Sequence, residues 1–274
     1  MQLPDYHTHT ERCGHASGRP ADYVAAAQAR GLTALGIADH LPVLPTPDPV
    51  LAMPIADLAL YVTEVQELKT QFPGYVLLGI EADYRPHTIA DVEDLVQSYP
   101  FDYVIGSVHH LGNWGLDDPR YLKEYESRDI DTVWVEYLEL IGDAAESGLF
   151  TILGHVDLVK KFGYRPSRRL ERELDRLARR IGRAGVVVEI NTAGLHRPCR
   201  EIYPALDLLV RLRELNVPIT FGSDAHRPEE VGRDFDQALE LALTAGYRQF
   251  AVLSPKPTGG RAELRSLPLP LAGL

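Results

Sequence analysis

The chain has 274 residues, of which 45% are hydrophobic, so it is long enough to bury a substantial core. Its 28 lysines and arginines are outnumbered by 39 aspartates and glutamates, and the formal charge of −11 argues against a general nucleic-acid or anionic-membrane binder. An anionic substrate would therefore need a locally positive pocket, which bound metal ions can supply.

Cysteine content and the start of the sequence predict a cytoplasmic location. The chain has only two cysteines, Cys13 and Cys199, which suits a reducing compartment. Candidate ligands begin at His7, inside the first strand signal, so we expect no secretory segment ahead of it. No apolar run reaches the roughly 18 residues needed to span a bilayer, and we expect no membrane partner.

Short apolar runs typical of buried strands alternate with segments of helical periodicity along the chain. The strand-like runs lie at about 3–6, 33–38, 75–80, 102–106, 150–153, 186–190, 217–221 and 249–253. One helix begins at Pro20 and stops before Gly31, one covers 57–71, and one opened by Ser167 covers 168–184. The alternation predicts a parallel sheet built from seven βα units, with an eighth strand as an option. No linker or repeat divides the units, so residues 1–274 are predicted to form one domain.

Two connections are long for this architecture. One is the proline-rich segment 41–55, and the other is 107–130, which contains Trp114. Both follow strands at the end where the loops of a barrel build its active site. We therefore expect both loops to cover the substrate.

Histidines and carboxylates recur just after the strand-like runs. In a strand, residues i and i+2 point to one side, so His7 and His9 can reach a common ion. A single His-x-His pair is more often incidental, but here the pattern is repeated. Further candidates fall near the ends of different strands: Asp39, His40, Glu81, His109, His155, Asp224 and His226. In a closed parallel barrel these ends converge on one face, which predicts a nitrogen and oxygen metal site.

The candidate ligands are too numerous for one ion. Including His15, seven histidines and two or three carboxylates exceed what one four- to six-coordinate ion can use. We therefore predict two or three divalent ions, with Glu81 in a bridging position. No thiolate is required, which favours zinc, manganese or iron, and Cys13 is interpreted as a packed thiol with ligation as the alternative.

A site with several ions favours hydrolysis. Two ions about 3.5–4 Å apart can hold a shared hydroxide, lower the pKa of water toward about 7 and clamp both oxygens of an in-line phosphoryl displacement. A phosphate ester is therefore the favoured substrate class.

Several motifs resemble those of the PHP (polymerase and histidinol phosphatase) superfamily. They are His7-Thr8-His9 with Cys13-Gly14-His15, Ala38-Asp39-His40, Gly106-Ser107-Val108-His109, Gly154-His155 and Ser223-Asp224-Ala225-His226. This resemblance spans about residues 5–235. Three further stretches, 79–84, 107–115 and 191–204, are similar to the histidinol phosphatases of PHP type.

The resemblance implies an α/β fold, a distorted (β/α)7 TIM-like barrel with the metal site at the C-terminal ends of its strands. It also implies three ions. The first would be held by His7, His9, Glu81 and Asp224, the second by Glu81, His109 and His155, and the third by His15, His40 and His226. Asp39 would orient its neighbouring ligand through a hydrogen bond.

The resemblance also suggests which residues contact the substrate. Arg197 resembles a phosphate-binding arginine of the family, since a guanidinium can contact two phosphate oxygens, although a solvated loop arginine is the alternative. The family pattern favours a second arginine where this sequence has lysines. The second phosphate contact is therefore open between Lys160, Lys161 and Arg165. His110 suits core packing and substrate contact equally well.

The activity that the resemblance implies is hydrolysis of L-histidinol phosphate to L-histidinol and phosphate in histidine biosynthesis. A metal-bridging hydroxide would attack phosphorus, and either Asp224 or a metal-held water would stabilise the leaving group. The predicted catalytic residues are Glu81, Asp224 and His226. Candidates for contacts to the amino and imidazole groups of the substrate are Asp83, Asp117 and Glu201.

Three alternatives stay open. The first is a PHP-family phosphoesterase for another small phosphomonoester or a nucleotide. The second is a 3′–5′ exonuclease, which should need a basic groove that the acidic balance disfavours. The third is a non-enzymatic metal-binding regulator, which is disfavoured because the metal motifs are complete. The arginine-rich stretch 165–183 is interleaved with carboxylates, so it is interpreted as a solvated helix face rather than a nucleic-acid patch.

Overall fold

A computed structural model describes residues 2–256 and 260–270, and the other residues of the predicted 1–274 domain lie outside this part. The strands are β1 Leu35–Ile37, β2 Val76–Leu78, β3 Glu81–Asp83, β4 Ile105–Ser107, β5 His110–Leu111, β6 Trp114–Gly115, β7 Ile152–Leu153, β8 Val187–Asn191, β9 Ile219–Gly222, β10 Gln249–Ser254 and β11 Glu263–Pro268. The helices are α1 Pro20–Ala29, α2 Leu58–Gln71, α3 Ile89–Gln97, α4 Glu124–Ser127, α5 Ile130–Glu146, α6 Glu171–Ala184, α7 Leu206–Glu214 and α8 Phe235–Thr244.

Parallel strands form a ring that the N-terminal segment closes. Five strands pair in the order β3, β4, β7, β8, β9, and β1 pairs in parallel with β2. The amide of Tyr6 donates to the carbonyl of Phe221 at 3.1 Å, and the amide of Gly36 donates to the carbonyl of Asp5 at 2.7 Å. The N-terminal segment therefore lies between β9 and β1. Counting β2 and β3 as one interrupted strand, the ring is the predicted distorted (β/α)7 barrel.

Three strand predictions differ from the structure. Residues 3–6 do not form a regular strand, and this segment pairs through isolated bridges at Asp5 and Thr8. The predicted 75–80 strand is interrupted after Leu78, where a Cβ on Gly79 would lie 2.2 Å from Cζ of Tyr103. The optional eighth strand exists as β10, but it pairs antiparallel with β11 and is therefore not one of the parallel strands of the barrel.

The helix predictions hold except at the start of α6. Helices α1 and α2 lie within about one or two residues of their predicted bounds, an ordinary discrepancy at helix ends. Helix α6 begins at Glu171 instead of residue 168, because Ser167 has another partner. The amide and hydroxyl of Ser167 donate to the carboxylate of Asp131 at 2.6 and 2.7 Å. Ser167 therefore does not cap α6, and it holds the segment before α6 against α5.

Apolar side chains fill the interior of the barrel toward the N-terminal ends of its strands, and polar side chains lie at the C-terminal ends. A cluster inside the ring consists of Tyr6, Ala34, Ala38, Leu77, Tyr103, Ile105, Ile152, Val187, Ala251 and Leu253. A larger cluster packs the helices on the outside of the strands. Among the described helices, none combines the length and apolar character needed to cross a membrane.

Candidate metal centre

The predicted ligands converge where the barrel strands end. Glu81 is buried at the start of β3, while His109 and His155 follow β4 and β7. His7 and His9 lie at the end of the N-terminal segment, beside β9. Residues far apart in sequence are thus brought together by the closure of the ring.

Glu81 lies at the centre of this cluster. Its carboxylate oxygens are close to His40 Nδ1 at 2.8 Å, His155 Nε2 at 3.1 Å, His7 Nε2 at 3.3 Å, His9 Nε2 at 3.5 Å and His109 Nε2 at 3.6 Å. The hydroxyl of Ser107 donates to Oε1 at 2.5 Å, which fixes the carboxylate. A carboxylate with imidazoles on both oxygens suits the bridging position that the sequence predicts.

Several groups of ligand atoms have the spacing that one ion needs. Within each group the atoms lie within 4.8 Å of one another: His7, His9 and Asp224; His7, Glu81 and His155; His9, His40 and Glu81; His15, His40 and His226; His9, Cys13 and His226. The first and fourth groups agree with two of the predicted ligand sets. The second group differs from the predicted one, since His7 joins Glu81 and His155, while Nε2 of His109 lies 3.6 Å from Glu81 and belongs to none of these groups. Cys13 is buried and its thiol is near enough to join a ligand group, so its interpretation as a packed thiol stays a prediction.

The donor atoms fit divalent cations. Nε2 of His7, both ring nitrogens of His9 and Oε2 of Glu81 are buried with no hydrogen-bond partner in the described part of the chain. Nε2 of His15 and Nε2 of His226 lie only 2.9 Å apart. Unpaired buried polar atoms are costly in a folded protein, and cations would satisfy His7 Nε2, Glu81 Oε2 and one of the two ring nitrogens of His9, since the other carries a hydrogen in the neutral ring. The site therefore fits two or three divalent transition-metal ions.

Three of the candidate ligands, His9, His15 and His226, are held neutral, as coordination requires, whereas the pKa values of His7 and His109 are raised. Burial, reinforced by neighbouring imidazoles, lowers the pKa of His15 to about 4. Burial also lowers the pKa of His226 to about 4, and that of His9 well below its ordinary value. For His7 burial acts in the same direction, but nearby carboxylates, Glu189 first among them, raise its pKa well above the usual value.

Glu189 is a site residue that sequence reasoning missed. It lies in the middle of β8, and Nδ1 of His7 is 2.8 Å from its Oε1 and 3.1 Å from its Oε2. This bond leaves Nε2 of His7 facing Glu81. A Cβ on Gly222 would lie 1.7 Å from Oε1 of Glu189, so only glycine leaves room for the carboxylate. The available signal was a glutamate inside the apolar run 186–190.

Asp83 has a different role from the one considered for it. It is a sequence candidate for the substrate amino or imidazole group. In the structure its carboxylate accepts hydrogen bonds from Nδ1 of His109 at 2.6 Å and Nδ1 of His110 at 3.1 Å. Asp83 therefore orients His109 toward Glu81, and His110 is held against the same carboxylate at the edge of the site.

Asp39 does not orient His40. Its carboxylate accepts hydrogen bonds from the amide and the hydroxyl of Thr10, both at 2.5 Å. Thr10 directly follows the pair His7 and His9, so Asp39 holds the backbone of this N-terminal segment in place. Burial raises the pKa of Asp39 to about 7, against the effect of the Thr10 hydrogen bonds.

Two residues at the site have unusual backbone angles. His155 has φ of 26° and Asp224 has φ of 53°, in the left-handed region that non-glycine residues rarely adopt. Such strain persists where the surrounding structure enforces it and is common at functional sites. Beside His155, a Cβ on Gly154 would lie 2.7 Å from Oγ of Ser107, so the strands approach closely here.

Beside Glu81 is a lobe with two cationic side chains. Arg197 and Lys161 line it together with Tyr203 and several of the candidate ligands. The ammonium of Lys161 donates to the backbone carbonyl of Asp117 at 2.8 Å and to its carboxylate at 3.1 Å. The two predicted phosphate contacts thus lie on the same lobe, next to the metal cluster.

The prediction that Lys160 contacts phosphate is wrong. Lys160 is fully buried, and its ammonium lies 2.7 Å from the carboxylate of Asp157 and 2.9 Å from that of Glu201. Arg165, the alternative, also pairs with Glu201, at 2.7 Å. Glu201, a candidate for the substrate amino or imidazole group, is therefore already engaged by two basic side chains.

A second lobe lies under the two long loops. It shares His40, Glu81, His109 and Asp117 with the cationic lobe, and apart from His15 and Asp83 the rest of its lining comes from 41–55 and 107–130. Arg120 joins these loops, since its guanidinium lies 2.6 Å from Asp118 and 3.0 Å from Asp48. Both loops therefore cover the site, as their length predicts.

Known proteins resemble this chain in sequence and in fold. A family model described as PHP domain matches residues 5–193, and one described as PHP-associated matches 211–235. A Deinococcus radiodurans protein named "Probable histidinol-phosphatase" is 42% identical over 251 residues, which covers 90% of this chain and 95% of that protein. The histidinol-phosphatase of Bacillus subtilis is 30% identical over 270 residues, which covers 88% of this chain and 99% of that protein. A crystal structure of the Lactococcus lactis histidinol phosphate phosphatase, complexed with zinc, L-histidinol and phosphate, has a TM-score of 0.76 at 25% identity and covers 92% and 97% of the two chains.

Proposed function

The chain belongs to the PHP domain family. From that premise we propose that it is a metal-dependent phosphomonoesterase. Its proposed reaction is the hydrolysis of L-histidinol phosphate to L-histidinol and phosphate in histidine biosynthesis. The observation that carries this function is the buried carboxylate of Glu81, with histidine ring nitrogens between 2.8 and 3.6 Å from its oxygens. The cationic lobe with Arg197 and Lys161 lies next to it. The names of the relatives and the ligands of the Lactococcus lactis enzyme support the same activity.

The cluster would hold the ions in three ligand sets. We propose His7, His9, Glu81 and Asp224 for one, Glu81, His109 and His155 for the next, and His15, His40 and His226 for the last. Bound ions supply Lewis-acid charge and activate water for attack on phosphorus. The protein orients the imidazoles for this through Glu189 and Asp83. Glu81, Asp224 and His226 remain the proposed catalytic residues.

Charge on the two lobes supports one orientation of the substrate. The phosphate group would bind in the cationic lobe, where Arg197 can contact two oxygens and Lys161 adds a further positive charge. The amino and imidazole end would then extend under the loops, toward Asp117 and Asp118. Although burial opposes it, the charge of Lys161 lowers the pKa of Asp117 to about 2, so this carboxylate is ionised, and a cationic group of the substrate would share it with the ammonium of Lys161. His110 lines the same lobe.

A phosphate-release assay tests this function. The substrates are L-histidinol phosphate, p-nitrophenyl phosphate and a nucleoside monophosphate, and the comparison is made in kcat/KM. The assay is repeated after chelation and after adding back zinc, manganese or iron singly. We expect preference for L-histidinol phosphate and recovery only with metal. Higher kcat/KM on either other substrate would contradict the proposal and favour another phosphomonoesterase.

The remaining proposals concern the whole chain. We propose one PHP-type domain. The two family models match residues 5–193 and 211–235, and the ring of strands closes between the N-terminal segment and β9. The two cysteines are free in the described structure, which supports the predicted cytoplasmic location. A small phosphorylated substrate is the proposed partner, with neither nucleic acid nor membrane.

A further inference from the structure

Lys160 is a buried lysine that the proposed reaction does not use. Its ammonium has three hydrogens and three acceptors: the carboxylates of Asp157 at 2.7 Å and Glu201 at 2.9 Å, and the carbonyl of Ile202 at 2.8 Å. The side chain is 0% exposed. A buried ion pair is weak evidence for stabilisation, because apolar side chains of similar volume could often fill the space at lower desolvation cost, so a positional role is considered for Lys160.

The partners of Lys160 belong to two different loops. Asp157 is in the loop after β7, which continues to Lys161. Glu201 and Ile202 are in the loop after β8, which carries Arg197. Lys160 therefore joins the two segments that present the cationic side chains of the phosphate lobe.

Three further contacts extend this junction to the lobe itself. The amide of Cys199 donates to the carbonyl of Lys161 at 3.1 Å, so the loops are also joined through their backbones. The ammonium of Lys160 lies 5.2 Å from the ring centroid of Tyr203, and this ring lines the lobe. The Tyr203 ring in turn lies 6.3 Å from that of His155. A shift at Lys160 would thus move a wall of the lobe and both of its cations.

We propose that Lys160 is a positioning residue, which holds the Lys161 segment and the Arg197 segment at the separation that phosphate requires. This inference rests on the proposed function, because it assumes that the lobe binds phosphate. It replaces the direct contact predicted from the sequence with an indirect role. Phosphate affinity should then depend on a side chain that phosphate never touches.

Two variants and a control test this role. Lys160→Met removes the ammonium, and Glu201→Gln weakens the junction from its partly exposed side, where the protein tolerates change more easily. Lys256→Met, at an exposed lysine outside the site, is the matched control. For each metal-loaded protein we would measure KM, kcat, metal content and the Kd of inorganic phosphate by calorimetry.

The expected result is a split between binding and turnover. Lys160→Met should raise KM and the phosphate Kd on the order of tenfold, with kcat and metal content close to wild type, since positioning of the phosphate acts on the bound ground state and transition state alike. Glu201→Gln should give a smaller change in the same direction, and Lys256→Met none. Unchanged KM and phosphate Kd in both variants, with only a lower Tm, would overturn the proposal.

A double-mutant cycle with Lys161→Met sharpens the test. If Lys160 acts through Lys161, removing the Lys161 ammonium should weaken phosphate binding less in the Glu201→Gln background than in the wild-type background. Additive effects would contradict the junction. The phosphate Kd also separates the two proposals: if L-histidinol phosphate is not hydrolysed but phosphate binding still depends on Lys160 and Glu201, the proposed function fails and the positioning role stands.

Discussion

At the start of the barrel interior, the hydroxyls of Tyr6 and Tyr103 have hydrogen-bond partners, whereas at the strand ends several buried imidazole nitrogens have none among the described residues. Tyr103 donates to the carbonyl of Tyr6 at 2.6 Å, and the hydroxyl of Tyr6 accepts from the amide of Leu253 at 3.0 Å. At the other end, the ring nitrogens of His9 have no partner among the described residues. Tyr6 directly precedes His7, the first candidate ligand.

The difference shows how one set of strands can serve stability at one end and chemistry at the other. Buried polar groups that are satisfied internally contribute to the fold and leave nothing to bind a ligand. Groups left unsatisfied are costly until a ligand completes them, and they are held in place by surrounding contacts. Changes at the strand ends should therefore affect metal and activity, and changes at the strand starts should affect unfolding.

Loss of the Glu81 charge should have the largest effect. Glu81→Gln keeps the shape of the side chain but removes the negative charge that the surrounding imidazoles share. We expect kcat/KM to fall on the order of a thousandfold, the size seen for loss of a preorganised electrostatic group. Metal content should fall by at least one ion in elemental analysis. Glu240→Gln, at an exposed position of α8, is the control, and full metal content in Glu81→Gln would contradict this centre.

Glu189→Gln should have the next largest effect, although Glu189 would act on the ions only through His7. The amide can keep one contact to Nδ1 of His7 but loses the charge that orients the ring. Loss of such a partner costs between ten- and hundredfold in metal affinity or activity. Competition with a chelator of known affinity measures the change. Wild-type affinity would mean that β8 supports the fold here and does not support the site.

Arg197→Ala should weaken substrate binding without removing metal. The guanidinium faces the cationic lobe, and one charged hydrogen bond is worth about 1.5–3 kcal/mol, so KM should rise roughly tenfold or more. The matched control is Arg169→Ala, whose side chain is 91% exposed and outside this lobe. A fall in metal content with unchanged KM would place Arg197 in the support of the cluster instead.

The same contrast explains what could be predicted from the sequence. The ligands could be found because each follows a strand signal, and strand ends of a closed parallel barrel meet at one face. The role of Glu189 could not, because its partner His7 is 182 residues away: a glutamate inside the apolar run 186–190 indicates a buried carboxylate but not the side chain that it contacts. The choice between Lys160 and Lys161 as a phosphate contact could not be made either, because adjacency in sequence does not reveal which way each side chain points. The N-terminal segment was expected to be a regular strand, but its pairing across the ring needs only isolated bridges.

Tyr103→Phe should have the smallest effect on activity and is the strictest test of the separation between the two ends. It removes the hydroxyl that donates to the carbonyl of Tyr6, and this carbonyl directly precedes His7. Leaving a buried carbonyl without its donor costs about 1–3 kcal/mol, so the free energy of unfolding of the metal-free protein should fall by that amount in urea. Metal content and kcat/KM should stay at wild-type values, because Glu189 and the backbone of β9 still hold the first ligand pair. A loss of metal affinity in this variant would mean that the hydrogen bonds at the strand starts also set the geometry of the ligands.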